Sequence, residues 1–151
     1  MRSLAVALCV GGAVLLASGC GGGKSDDPSA VAGEDGVVGV SEQYFKGLAE
    51  GDGAKACSVL DAPSQQALIQ LHSAGGNCLD AVKAAAQSLS AEQKADLTKV
   101  KVDVAEAGDE SGRARVKLAA DTAAIAGVGD GSYSLVRPEQ HWELTLPIAK
   151  P

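Results

Sequence analysis

Apolar and polar positions follow two different rhythms along this chain, and the change comes near Leu97. Upstream, apolar residues recur at helical spacing. Val37, Val40, Tyr44, Phe45 and Leu48 form one stripe over residues 37–50, and Gly51-Asp52-Gly53 then stops or bends the chain. A short second helix is expected over 54–60. Pro63 and Ser64 start a third, carrying Leu68, Ile69 and Leu71 and closed by Gly75-Gly76. Leu79, Val82, Ala86 and Leu89 mark the inward face of a fourth. Ser90 followed by Gln93 has the form of a capping box for a last turn through Leu97.

Beyond Leu97 the period drops to two. Val100, Val102 and Val104 alternate with Lys101 and Asp103. After a hairpin loop at 108–112, Ala114, Val116 and Leu118 alternate with Arg113, Arg115 and Lys117. A glycine-rich turn at 127–131 precedes a third strand over 133–136. In a fourth, Trp142, Leu144 and Leu146 alternate with His141, Glu143 and Thr145. Every strand has one apolar and one polar face, which implies an antiparallel sheet covered on one side. On the open side, Arg113, Arg115 and Lys117 can pair with Asp103 or Glu143 across strands. Helices first and strands after define an α+β class, with N-terminal helices packed on about four antiparallel strands.

The residues ahead of this domain read as an address. Arg2 precedes an apolar and small-residue run over 4–16 that is too short to span a bilayer comfortably. Ala17-Ser18-Gly19-Cys20 resembles the lipobox of bacterial lipoproteins, with Ala17 where that pattern usually has Leu; Ala17-x-Gly19 also suits ordinary secretory cleavage. The resemblance implies that 1–19 is a lipoprotein signal peptide, that a diacylglyceryl thioether forms on Cys20, and that the protein sits on the outer face of the cell membrane. Two acyl chains hold a protein there where one would not. Residues 21–36 are Gly, Ser, Asp, Pro and Ala-rich without apolar periodicity, so 20–36 is expected to be the lipidated cysteine and a flexible tether spanning roughly 20–25 Å. The folded domain is then 37–151.

That address changes the cysteine arithmetic. Of four cysteines, Cys9 leaves with the signal and Cys20 takes the lipid. Cys57 and Cys78 remain, in a compartment that permits a disulfide. Such a bridge contributes on the order of 3 kcal/mol in the chain-entropy model. A metal site has no support, because His72 near Cys78 has nothing to complete a tetrahedral ligand set. No cofactor is expected.

Composition narrows the rest. Lys+Arg number 13 against 19 Asp+Glu, a net charge of −6 that argues against a general nucleic-acid binder. Hydrophobic residues make up 46% of the chain but aromatics only 3%, and much of the apolar share is Ala, so the core should be thin.

One family resembles this order of elements. Tyr44-Phe45-Lys46-Gly47-Leu48-Ala49-Glu50-Gly51-Asp52 in an opening helix and turn, Cys57 soon after, Cys78 opening a later helix and an Arg137…Trp142 hairpin-and-strand closing the chain together look like the nuclear-transport-factor-like domains of actinobacterial lipoproteins. The resemblance covers about 37–148 and implies a curved sheet wrapped around helices, a cone with an apolar cavity. Enzymes of that fold class place Asp, His, Arg or Tyr inside the cone. Here alternation puts only Val, Ala and Leu there, together with Tyr133 and Trp142, the candidate ligand-lining residues. His72 reads as a helix cap and His141 as an outward strand residue. No phosphate loop, nucleophile elbow or dinucleotide fingerprint is present. The expected function is a membrane-anchored, non-catalytic domain that binds a protein partner or a small apolar ligand; a filled cone would instead leave partners to the outer surface. The alternative is a small hydrolase or isomerase using Asp61, Asp80 or Tyr44 turned into the cavity.

Overall fold

A computed structural model of the chain describes residues 27–72, 75–108, 111–118 and 131–147. Among the described residues, five α-helices lead into a meander of four antiparallel strands, an α+β fold. The helices are α1 (Gly33–Glu50), α2 (Gly53–Cys57), α3 (Ala62–Leu71), α4 (Cys78–Ser88) and α5 (Ala91–Leu97). The strands are β1 (Asp103–Gly108), β2 (Arg113–Lys117), β3 (Ser132–Val136) and β4 (Glu143–Thr145), paired in that order.

Short polar side chains set most helix starts, each accepting a backbone N–H that the helix leaves unpaired. Asp52 accepts from Lys55 N at 3.1 Å, Asp61 from Ser64 N at 2.8 Å and Asn77 from Asp80 N at 2.8 Å. Ser90 and Gln93 complete the expected capping box, with reciprocal bonds of 3.1 and 2.8 Å. At the other end of α1, Gly51 adopts φ 70° and ends the helix, a left-handed conformation that costs glycine little.

The first helix starts earlier than its apolar stripe suggests. Gly33–Glu50 is helical, and a 3₁₀ turn at Pro28–Ala30 precedes it, so residues 28–36 belong to the folded body and not to the tether. This N-terminal strap docks on the sheet: Trp142 N–H donates to Ser29 O at 2.8 Å. Gly36 makes the approach possible, since a Cβ there would stand 2.8 Å from Trp142 Cδ1 and closer still to Val31 O. The remaining tether residues, with Cys20 and 1–19, lie outside the described residues.

The α4 face also differs from expectation. Leu79 is 51% exposed and Leu89 only partly buried, while Cys78, Ala81, Val82, Ala85 and Ala86 turn inward. Backbone proximity explains this. A Cβ on Gly53 would lie 2.6 Å from Leu79 Cα, so α2 and α4 meet nearly backbone to backbone and small residues suit that contact. The bridge Cys57–Cys78 joins the two helices with Cα atoms 6.1 Å apart and a sequence separation of 21.

The sheet keeps the expected alternation. Ala114 and Val116 of β2, Tyr133 and Leu135 of β3, and Leu144 of β4 are buried against the helices, while Arg113, Arg115 and Lys117 are exposed. β1 starts at Asp103, later than Val100, and carries a bulge between Val104 and Glu106. Beyond β4 the sheet gains one parallel bridge, Leu60 to Leu144. Asp61 N donates to Leu144 O at 3.1 Å and Leu144 N to Val59 O at 2.7 Å, so the α2–α3 link lies alongside the last strand.

Candidate functional site

All four aromatic side chains lie in one core. Tyr44 and Trp142 are 0% exposed, Phe45 1% and Tyr133 3%. Phe45 sits edge-on to Tyr44 at 5.3 Å and to Tyr133 at 5.9 Å between ring centroids. Tyr133 and Trp142 therefore pack into the space between helices and sheet, whereas ligand-lining residues would keep an exposed face. Arg137 lies over the Trp142 ring, 5.6 Å from its centroid.

Their polar tips are less satisfied than their rings. Among the described residues, the hydroxyls of Tyr44 and Tyr133 and the Trp142 indole N–H have no hydrogen-bond partner within bonding geometry. Burial pushes the Tyr44 hydroxyl well above the ordinary phenol pKa and does the same at Tyr133, where nearby Ser41 opposes the shift and Tyr44 adds to it. Ser41 gives its own proton to Val37 O at 2.7 Å. A buried hydroxyl without a partner forfeits its hydration, so Tyr44→Phe and Tyr133→Phe are expected to leave stability unchanged or raise it by up to about 1 kcal/mol. Urea titration checks this; a clear loss in either variant contradicts the assignment.

The carboxylates considered for catalysis serve the fold. Asp61 caps α3 with Oδ1, and its Oδ2 accepts from Thr145 Oγ1 at 2.6 Å, tying that cap to β4. Asp80 is exposed in the first turn of α4 and accepts from Asn77 Nδ2 at 2.7 Å. Asp61→Ala should cost about 2 kcal/mol, from the lost cap and the lost cross-link to β4. Asp61→Asn, which keeps a cap acceptor, should lose less than half of that in the same denaturation experiment. His72 caps the end of α3, and His141 is exposed with Nδ1 3.1 Å from Glu139 O. Among the described residues, no group of three His, Cys, Asp or Glu could hold a metal ion, and no helix is long and apolar enough to cross a membrane.

An open groove of about 710 Å³ lies on the solvent face of the sheet, away from the aromatic core. It crosses all four strands, with Glu106 from β1, Arg113 and Arg115 from β2, Ser134 and Val136 from β3 and Thr145 from β4 among its lining. Alternation had marked these arginines only as a polar face paired with Asp103 or Glu143. The register separates them: Asp103 faces Lys117, and Glu143 faces Val136, a strand removed from Arg113. Ion pairs among the described residues are those of Lys55 with Glu50 and Asp52, so neither arginine is neutralised by a described carboxylate. Small residues around the arginines leave the groove open, a matter of cross-strand register that no single strand's pattern shows. Comparison with protein-family models, curated proteins and solved structures finds no match.

Proposed function

We propose that this chain is a lipid-anchored, extracytoplasmic, non-catalytic binding domain, of the nuclear-transport-factor-like kind, that engages its partner on the open face of its sheet. The observation that carries the reading is the division of the sheet's two sides. The inner side is occupied by Tyr44, Phe45, Tyr133 and Trp142, all nearly or fully buried. The outer side carries the groove with Arg113 and Arg115. A filled interior leaves recognition to the surface, and a concave surface that mixes apolar walls with a few convergent charged side chains is where recognition is expected. Anchoring rests on the Ala17-Ser18-Gly19-Cys20 pattern.

The anchor is tested by metabolic labelling with a fatty acid. Label should enter the wild-type protein and be lost in Cys20→Ala; label retained by the variant overturns the anchor. The docking face is tested in the same cells with a photo-crosslinking residue at Ser134 or, as a control, at exposed Glu92 on α5. Adducts should concentrate at Ser134. Adducts from Glu92 alone would place the partner on the helical side.

A further inference from the structure

We infer that the groove on the sheet's outer face holds a phosphate ester, gripped by Arg113 and Arg115; this rests on the outer-face reading above. Both arginines stand on the same side of β2, two residues apart, so their Cα atoms are about 6.6 Å from each other. Both line the groove, and neither forms an ion pair with a described residue. An unpaired guanidinium presents a planar fork of N–H donors, and one carboxylate is enough to saturate one fork. Two adjacent forks suit an anion with three terminal oxygens, which a phosphate monoester has and a carboxylate or a phosphodiester lacks. Ser134, exposed beside Arg115 in the sheet register, adds a hydroxyl.

The remaining lining sets how that ester lies. Glu106 is opposite Arg115 across β1–β2 without an ion pair to it, so its carboxylate disfavours an anion at that end and biases the phosphate towards Arg113. Val136 gives the groove an apolar wall on the β3 side, where a glycerol or acyl portion can rest. The groove's volume falls in the range of small-molecule sites, larger than a bare phosphate needs. The chain's net charge of −6 opposes any long-range pull on anions, so retention must come from direct bidentate contact.

The ester can belong to a lipid headgroup or to a soluble metabolite. Placement makes the headgroup accessible. Arg113 pairs with Val136, Val136 with Glu143, and neighbouring Trp142 holds Ser29 of the strap. The groove's Arg113 end is thus the end of the sheet at which the tether joins the fold.

The full chain in neutral detergent is titrated calorimetrically with glycerol 3-phosphate and with a short-chain phosphatidic acid, both phosphate monoesters. Wild type, R113A/R115A and R115K are compared. At least one probe should bind saturably, and R113A/R115A should weaken it at least tenfold without a change in circular dichroism. R115K, which keeps the charge but not the fork, should fall between the two. Binding of both probes alike assigns a soluble ester; binding of the lipid alone assigns a headgroup. The inference is overturned if neither probe binds, or if the double variant binds as well as wild type. Should both probes fail while R113A/R115A still removes the Ser134 crosslinks, the outer face remains the docking surface and only the phosphate assignment falls.

Discussion

Trp142→Ala should destabilise the domain by about 3–5 kcal/mol, the range for deleting a fully buried large aromatic. Trp142 is the largest fully buried side chain. Its ring closes against Gly36 of α1 and lies under Arg137. In an Ala-rich interior, neighbouring side chains are too short to collapse into the space it would leave, so little of the cavity heals. The loss should extend to the strap, which approaches the sheet over that ring. Limited proteolysis should then cut near residues 27–32 in the variant and not in wild type. Trp142→Phe, which keeps an apolar ring and drops the unpartnered indole N–H, should lose much less. Equilibrium denaturation with guanidinium measures both; a loss under about 1 kcal/mol for the alanine variant would show that the ring is not a core element.

Removing the disulfide should be the next largest effect. A loop closed over 21 residues is worth about 3 kcal/mol in the chain-entropy model. A domain of ordinary stability has about 5–15 kcal/mol in all, so the bridge carries a substantial share. It matters more here because the helices it joins are held by Ala56, Ala81 and Ala85, whose side chains each bury little area. Cys57→Ala, Cys78→Ala and the double variant should therefore be destabilised almost equally, since each breaks the same link. Wild type treated with a reductant should match them. Coincident unfolding curves for oxidised and reduced protein would rule out a stabilising bridge.

Local chemistry was readable wherever a few neighbouring residues decide it. The Ser90–Gln93 capping box, the Cys57–Cys78 pair and the inward positions of β2, β3 and β4 all follow from short-range rules and reappear in three dimensions. Failures came where distant partners decide. The turn at Pro28–Ala30 and the start of α1 are built from Gly, Ser, Asp and Ala, with no side-chain cap at Ala32. Asp27 caps the turn locally and Pro28 packs on Gly39, but the strap meets the sheet through Trp142, far along the chain. In α4 the expected face holds at Val82 and Ala86 but not at Leu79, because the close crossing at Gly53 favours small residues. The groove was hidden for a related reason: each strand reveals which side a residue faces, while the openness around Arg113 and Arg115 depends on which residues the register sets beside them.

The parallel bridge at Leu60 also dictates the order in which this fold can be completed. Thr145 bonds Asp61 across 84 residues, and Leu146 N bonds Ser64 Oγ across 82. Ser29 waits still longer for Trp142. High contact order of this kind slows folding, because loop-closure entropy is lost before any contact returns it. A chain delivered N-terminus first, from a ribosome or through a translocation pore, can form its helices early. It cannot seal them until Trp142, Thr145 and Leu146 emerge. Until then the side of α1 that packs on the sheet stays uncovered, while α4 can already close against its helical neighbours.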